Sequence, residues 1–351
     1  MQSILIILLS TSLLFFLNFF FKKKSFLIDN KSLSHKSFTS KKAVPLSGGS
    51  IIFFNLALFS NNYFILFFFF LIFILGIFSD LLIITKPLQK FIIQFLVIFF
   101  FLNFLDLKVL STKIYYIDFL IKNKLFAILF STFCLLILIN GTNFIDGINT
   151  LVCGYYILII LTILYVCSQN KLLIYNFDNF YYLFLSLLVI YFFNYSSKVY
   201  LGDSGSFLVS FLTGYYLINF CNDNLNLVQF ISPIFILLLL WYPAFENLFS
   251  IIRKIISKKN PSEPDNMHLH HLLFYFLKKK NKKTFICNNT LAGSIINSYN
   301  LISFAVASKF YYHTEYLTYI TSFNVLFYVA VYFYFYKKIK KFNNFINIKL
   351  N

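Results

Sequence analysis

The chain alternates long apolar runs with short polar segments along almost its whole length. A helix needs about 20 apolar residues to cross the hydrocarbon core of a bilayer, and the runs approach or reach that length. They lie at residues 3–21, 50–59, 64–78, 91–105, 125–139, 151–167, 180–195, 206–220, 230–252, 291–308 and 316–336. The pattern predicts an all-α, polytopic membrane helix bundle with about eleven transmembrane helices.

Composition supports a membrane protein. Hydrophobic residues make up 59% of the 351 residues and charged residues only 12%, whereas soluble domains have about 25% charged residues. The net charge of +18 comes from lysines in short loops between the apolar runs. Lysines in such places set topology and contact anionic lipid, so we expect a lipid bilayer as partner and no nucleic acid.

The distribution of these cations predicts which side each loop faces. If loops alternate between two sides, 24 lysine and arginine residues fall on one side and 6 on the other. Positive loops stay in the cytoplasm, so the first side is predicted to be cytoplasmic. The N-terminus is then predicted to be outside and the C-terminus cytoplasmic. We expect a multi-pass protein of the plasma (inner) membrane.

A short polar stretch interrupts the two apolar runs in the middle of the chain. Asn140, Asn143, Asp146 and Asn149 recur at a spacing of three residues. Polar groups at a membrane boundary are costly to desolvate, and this spacing places them on adjacent positions of a helix end. The stretch therefore indicates a site for a small ligand or ion, although an ordinary interhelical turn would also use Asn and Gly.

The other polar clusters fall on the same predicted face. A loop with Lys42, a proline and a glycine pair has a composition that suits phosphate binding, although this sequence signal is weak. Asp80 closes an apolar run, where it acts either in a site or as a solvated helix end. Asp203 opens the run that begins near residue 206, where it is either a metal ligand or a helix cap.

The segment after residue 252 has an unusual pair of features. Arg253 is the only arginine in the chain, and a lone guanidinium among lysines suggests a planar, bidentate grip on phosphate or carboxylate, with chance as the alternative. His268, His270 and His271 lack a well-spaced fourth ligand for zinc. Phosphate binding or proton handling fits these histidines better.

Taken in order, these segments resemble the polyprenyl-phosphate N-acetylhexosamine-1-phosphate transferases, the family of WecA and MraY. Five motifs carry the resemblance between residues 41 and 271: K-x-x-P-x-x-G-G, G-x-x-x-D, N-x-x-D-G-x-N, L-G-D-S-G-S and P-D-x-x-H-x-H-H. The spacing H-x-H-H is typical of the WecA-like branch, whereas the MraY branch has three consecutive histidines.

The resemblance implies a reaction and a set of roles. An N-acetylhexosamine 1-phosphate passes from a UDP-sugar to undecaprenyl phosphate or another polyprenyl phosphate, UMP is released, and a lipid intermediate of a cell-surface polysaccharide begins. The resemblance implies that Asn143 and Asp203 hold Mg²⁺, which Mn²⁺ can replace. It assigns catalysis to Ser79, Asp80 and Asp146, and substrate contacts to Lys42, Lys90, Asn149, Arg253, His268, His270 and His271.

Two positions depart from the family pattern. Ser79 stands where relatives usually have a first aspartate, and Asn149 stands where many have Asp. The rival readings are an MraY-type enzyme with a muramyl-pentapeptide donor and, in a different class, a transporter or flippase. We expect residues 1–351 to form one catalytic membrane domain with its site on the cytoplasmic face, and residues 253–290 to be its largest cytoplasmic loop. A homodimer is one candidate assembly.

The charge distribution gives a direct test of topology. We expect a cysteine introduced in the run from Lys278 to Lys283 to be protected from an impermeant thiol reagent in intact cells. A cysteine introduced beside Lys122 or Lys124 should react, because its loop lies on the side with few cations. If the first cysteine reacts and the second is protected, the predicted topology is wrong and the site is not on the cytoplasmic face.

Overall fold

The computed structural model describes residues 2–29, 43–60, 62–170, 172, 177–225, 231–261, 263, 265–280 and 284–344. Within these ranges the chain is almost entirely helical. The helices are α1 (Gln2–Lys24), α2 (Gly48–Phe59), α3 (Tyr63–Asp80), α4 (Pro87–Phe104), α5 (Tyr115–Leu120), α6 (Lys124–Ile145), α7 (Leu151–Asn170), α8 (Phe177–Tyr195), α9 (Gly202–Asp223), α10 (Pro233–Leu239), α11 (Trp241–Ile256), α12 (Leu269–Lys280), α13 (Phe285–Ala307) and α14 (Thr314–Asn344).

Two further elements are small. Strands β1 (Ile28–Asp29) and β2 (Val44–Pro45) pair antiparallel. A 3-10 turn (Ser308–Phe310) follows α13. The prediction of an all-α polytopic bundle is confirmed, because each predicted apolar run lies mainly in helix. In the described part of the chain, seven helices are long and apolar enough to cross a membrane, or eight if one bent pair is a single span, against about eleven predicted from the sequence.

That bent pair corrects one predicted boundary. The run at residues 230–252 was expected to be a single helix, but α10 and α11 meet at an angle of 70°. The cause lies one turn into the second helix: Pro243 has no backbone N–H to give to the carbonyl of Leu239, four residues earlier. The break turns α11 and its polar residues towards the end of the bundle that carries the site.

Helix α9 is the centre of the bundle. Every residue from Ser204 to Ile218 is buried, as expected for a helix that is apolar on all sides. It packs against α2, α3 and α6. Glycines permit the closest approaches: a Cβ on Gly76 would clash with the backbone of Ser204, and one on Gly49 would lie 2.6 Å from the nitrogen of Gly205. Small residues at helix contacts are typical of membrane bundles.

The outer helices show the opposite pattern. On α1, Phe15, Phe16 and Phe19 are 63%, 64% and 67% exposed. Large apolar side chains in such positions are compatible with the hydrocarbon core of a bilayer. A helix is compatible with it too, because its backbone N–H and C=O groups bond to one another. Polar side chains are instead paired inside, where Asn55 of α2 donates hydrogen bonds to Ser10 of α1 and Ser186 of α8.

Candidate active site

A cavity of about 390 Å³ opens where several helices end. The C-terminal ends of α3 and α6 and the N-terminal ends of α4 and α9 all contribute to its wall. Nine of the twelve predicted site residues line it: Ser79, Asp80, Lys90, Asn143, Asp146, Asn149, Asp203, His268 and His271. Arg253 and His270 are outside this lining, and Lys42 lies outside the described residues.

Asp80 caps the central helix. Its Oδ1 accepts a hydrogen bond from the backbone N–H of Asp203 at 2.8 Å, and its Oδ2 accepts one from the N–H of Ser204 at 3.1 Å. Gly202, at φ +71°, makes room, because a Cβ there would lie 2.7 Å from Asp80 Oδ2. The two carboxylate oxygens thus satisfy N–H groups that the first turn of α9 leaves unpaired.

The first N–H groups of α9 thus have Asp80 as their partner, and a metal-ligand role for Asp203 stays a prediction. Asp203 Oδ2 accepts hydrogen bonds from the Ser79 hydroxyl and from Lys90 Nζ, the latter at 3.2 Å. Its side chain is 26% exposed. The carboxylate is therefore held in the cavity wall between a neutral hydroxyl and an ammonium group.

Asn143 reaches the same place from α6. Its Oδ1 accepts a hydrogen bond from Ser206 Oγ at 3.4 Å, and that hydroxyl also donates to the backbone carbonyl of Asp203 at 3.2 Å. One serine therefore joins the amide of α6 to the first turn of α9. Asp146, the residue that ends α6, lines the cavity as well.

Asn149 is fixed by residues that the sequence did not single out. Its backbone N–H donates to Asn289 Oδ1 at 2.6 Å, and its side-chain Nδ2 donates to Ser197 Oγ at 2.6 Å. Next to it, Thr150 has φ +67° and donates its N–H to Asn194 Oδ1. Asn194 and Asn289 also line the cavity. They are single polar residues far apart in sequence, so no local pattern indicated them.

The histidines occupy the start of α12 and differ from one another. A Cβ on Gly147 would lie 2.7 Å from His271 Nε2, so His271 touches the polar stretch directly. Burial lowers the pKa of His271 and of His270 well below the ordinary value of 6.5. Both rings are therefore neutral at neutral pH and offer hydrogen bonds rather than positive charge.

Arg253 makes the bidentate contact that its chemistry predicts, but within the chain. Its Nη1 and Nη2 donate to the two oxygens of Asp265 at 2.7 and 3.1 Å, and Nη2 also donates to Ser250 Oγ at 3.2 Å. Burial by itself raises the pKa of Asp265, but the hydrogen bonds from Arg253 and the positive charges nearby bring it below the ordinary value. Direct contact between Arg253 and a phosphate stays a prediction.

Comparison with known proteins agrees with this geometry. Residues 62–221 match the model of glycosyl transferase family 4. That segment contains Ser79, Asp80, Asn143, Asp146 and Asp203. Over this segment, which is just under half of the chain, the protein is similar to that family. The match to glycosyl transferase family 4 ends before α11 and α12, so Arg253 and the histidines lie outside it.

Individual relatives extend the likeness. An undecaprenyl-phosphate alpha-N-acetylglucosaminyl 1-phosphate transferase of Thermotoga maritima is 26% identical over 277 residues, which are 77% of this chain and 79% of the relative. A probable undecaprenyl-phosphate N-acetylglucosaminyl 1-phosphate transferase of Bacillus subtilis is 32% identical over 145 residues, 39% of this chain. That alignment spans only 37% of the Bacillus protein.

The donor set of the cavity suits phosphate chemistry. Carboxylate and amide oxygens from Asp146, Asp203 and Asn143 share the wall with the ammonium group of Lys90. Within the described ranges, no group of three or more His, Cys, Asp or Glu side chains is arranged to hold a metal ion. Mg²⁺ does not need such a cage, because it commonly takes one or two protein carboxylates together with substrate phosphates.

The cap assignment predicts different stabilities for two otherwise similar substitutions. Asp80→Asn should lower the free energy of unfolding by about 0.5–2 kcal/mol, because an amide has one acceptor oxygen for two N–H groups. Asp203→Asn should have a smaller effect, since that side chain caps nothing. Thermal unfolding in detergent would compare them. Equal losses for both variants would contradict the cap.

Proposed function

We propose that this protein transfers an N-acetylhexosamine 1-phosphate from a UDP-sugar to undecaprenyl phosphate or a related polyprenyl phosphate, with release of UMP. The observation that carries the proposal is the convergence of Asp203, Lys90, Asn143 and Asp146 on one cavity at the helix ends. The match of residues 62–221 to the family model and the names of the relatives support the same reaction.

The position of the cavity favours an enzyme over a transporter. A lipid phosphate stays at the membrane surface while its chain lies in the bilayer, so the chemistry must occur where helices end. The cavity is lined by the last residues of α3 and α6 and the first residues of α9. A transporter is expected to place its binding groups near the middle of the bilayer instead.

Magnesium is the proposed cofactor, with Mn²⁺ as a substitute. The hard oxygen ligands that Mg²⁺ prefers are present in the Asn143 amide and the Asp203 carboxylate, and Asp146 lies in the same wall. When bound there, the ion would neutralise negative charge on the phosphates. Phosphoryl transfer depends mainly on such neutralisation and on positioning.

The chain's own residues supply the positioning. Lys90 donates to Asp203 and lies in the wall, where its ammonium group is available to attract the phosphates. Ser79 orients Asp203 without adding a second negative charge. Asp80 fixes the backbone that carries Asp203. No residue has to act as a base on the acceptor, because a phosphate monoester has a second pKa of about 6 and is already largely dianionic at neutral pH.

The donor and the membrane face remain parts of the proposal. Relatives are named for N-acetylglucosamine, which makes UDP-N-acetylglucosamine the first donor to test, ahead of a muramyl-pentapeptide donor. The excess of cations on one predicted side supports a cavity at the cytoplasmic face, where UDP-sugars are made. Oligomeric state, including a homodimer, stays a prediction.

A product assay tests the proposed function. Purified protein is incubated with undecaprenyl phosphate, Mg²⁺ and each member of a panel of UDP-sugars, and lipid products are identified by mass. We expect a polyprenyl-diphosphate-linked N-acetylhexosamine with at least one donor, and UMP in equal amount. Asp203→Asn is the matched control, and it should lose turnover by at least about 100-fold, because the removed charge contacts the reacting groups.

The absence of product with every donor, from protein that remains folded, would refute the proposed reaction. Full activity of Asp203→Asn would refute the role given to Asp203 but not the reaction. Product formed only with a muramyl-pentapeptide donor would instead favour the MraY-type alternative.

The serine at position 79 gives a separate prediction. Ser79→Ala should keep at least about one tenth of the wild-type rate, because Lys90 still holds Asp203 and the loss of one hydrogen bond costs about 1 kcal/mol. Ser79→Asp should change the rate only modestly, since the acceptor needs no base. Initial rates on either side of neutral pH decide. A wild-type chain that is inactive until Ser79→Asp restores it would show that the missing carboxylate is essential.

A further inference from the structure

A chain of buried polar contacts links the C-terminal helix to the cavity wall. Tyr328 of α14 donates its hydroxyl to Glu246 Oε2 at 2.6 Å, and Glu246 Oε1 lies 2.9 Å from His268 Nδ1. The other ring nitrogen, His268 Nε2, lies 3.4 Å from Asp265 Oδ1. Asp265 is in turn held by Arg253 through two hydrogen bonds. Of these five residues, His268 and Asp265 line the cavity.

The residues of this chain of contacts are buried, so each polar group depends on its partner in the protein. Glu246 and Tyr328 are each 1% exposed, and His268 is 5% exposed. A carboxylate without solvent is costly unless both oxygens have partners, and the two oxygens of Glu246 are matched to Tyr328 and His268. The imidazole is consequently fixed in orientation, with one nitrogen towards Glu246 and the other towards Asp265.

We infer that Glu246 and Tyr328 are positioning residues for the transfer reaction and act through His268 and Asp265 on the cavity wall. The inference rests on the proposed function. It makes α14 part of the active-site support, although that helix lies beyond the segment that matches the family model. It also gives Arg253 a role on Asp265, at the far end of the same chain of contacts.

The inference differs from a general contribution to packing. A packing role would depend on the aromatic ring of Tyr328, which contacts Phe245 and Phe249. A positioning role depends on the hydroxyl and on Glu246. Helix α14 offers a matched control one turn away: Tyr332 is also buried, at 2% exposed, but its hydroxyl has no hydrogen-bond partner among the residues that the structure describes.

Steady-state kinetics of three variants test the inference. Tyr328→Phe and Glu246→Gln should each lower kcat by about 10-fold to 100-fold with a KM for the UDP-sugar within about 2-fold of wild type, because misplaced groups weaken the transition state more than binding. The control Tyr332→Phe should keep wild-type kcat. The double variant of Tyr328→Phe and Glu246→Gln should be no slower than Glu246→Gln alone, since both act through one contact.

A second measurement does not depend on activity. The chain contains only 5 histidines, so ¹⁵N ring signals of labelled protein in detergent can be assigned, and the His268 signal should shift in Tyr328→Phe and Glu246→Gln but not in Tyr332→Phe. If wild type transfers no sugar phosphate while these shifts occur, the proposed function fails and the hydrogen-bonded link to His268 stands. An active wild type with equal kcat for Tyr328→Phe and Tyr332→Phe, or an additive double variant, would overturn the inference.

Discussion

The whole site depends on how closely α3 approaches the start of α9. Gly76 lets the two helices touch at the backbone of Ser204, and one turn later Asp80 reaches the free N–H groups of α9. The same contact that completes the hydrogen bonding of a buried helix end therefore fixes the register between Ser79 and Asp203. A helix end without partners would be costly in this setting, so geometry and stability are linked here.

Two carboxylates of the cavity wall have cationic partners from other segments of the chain. Asp203 is matched by Lys90, and Asp265 by Arg253. The neutral residues Ser79 and Asn149 also matter for this wall, because a carboxylate at either position would add repulsion between negative charges. Ser79 donates to Asp203, and the Asn149 amide donates to Ser197, which a carboxylate oxygen could not do. The two departures from the family pattern thus have local partners that suit their chemistry.

The C-terminal helices contribute more than their apolar sequences suggest. Asn289 of α13 holds the backbone of Asn149, and Tyr328 of α14 holds Glu246. Both contacts are buried and join segments separated by 140 and 82 positions. Pairing of this kind places polar groups of distant segments against one cavity while the lipid-facing surface stays apolar. The bend between α10 and α11 serves the same arrangement, since α11 carries Glu246 and Arg253.

The sequence by itself determined the class of fold and nine of the residues that line the cavity. Apolar runs of bilayer length leave little choice but helices, and polar residues at their ends are costly enough to mark a site, as at Asn143, Asp146 and Asp203. Tertiary structure decided what each polar group does. It made Asp80 the cap of α9, gave Arg253 to Asp265, and recruited Asn194 and Asn289. Those outcomes depend on distances between helices far apart in sequence, and local spacing carries no information about such distances.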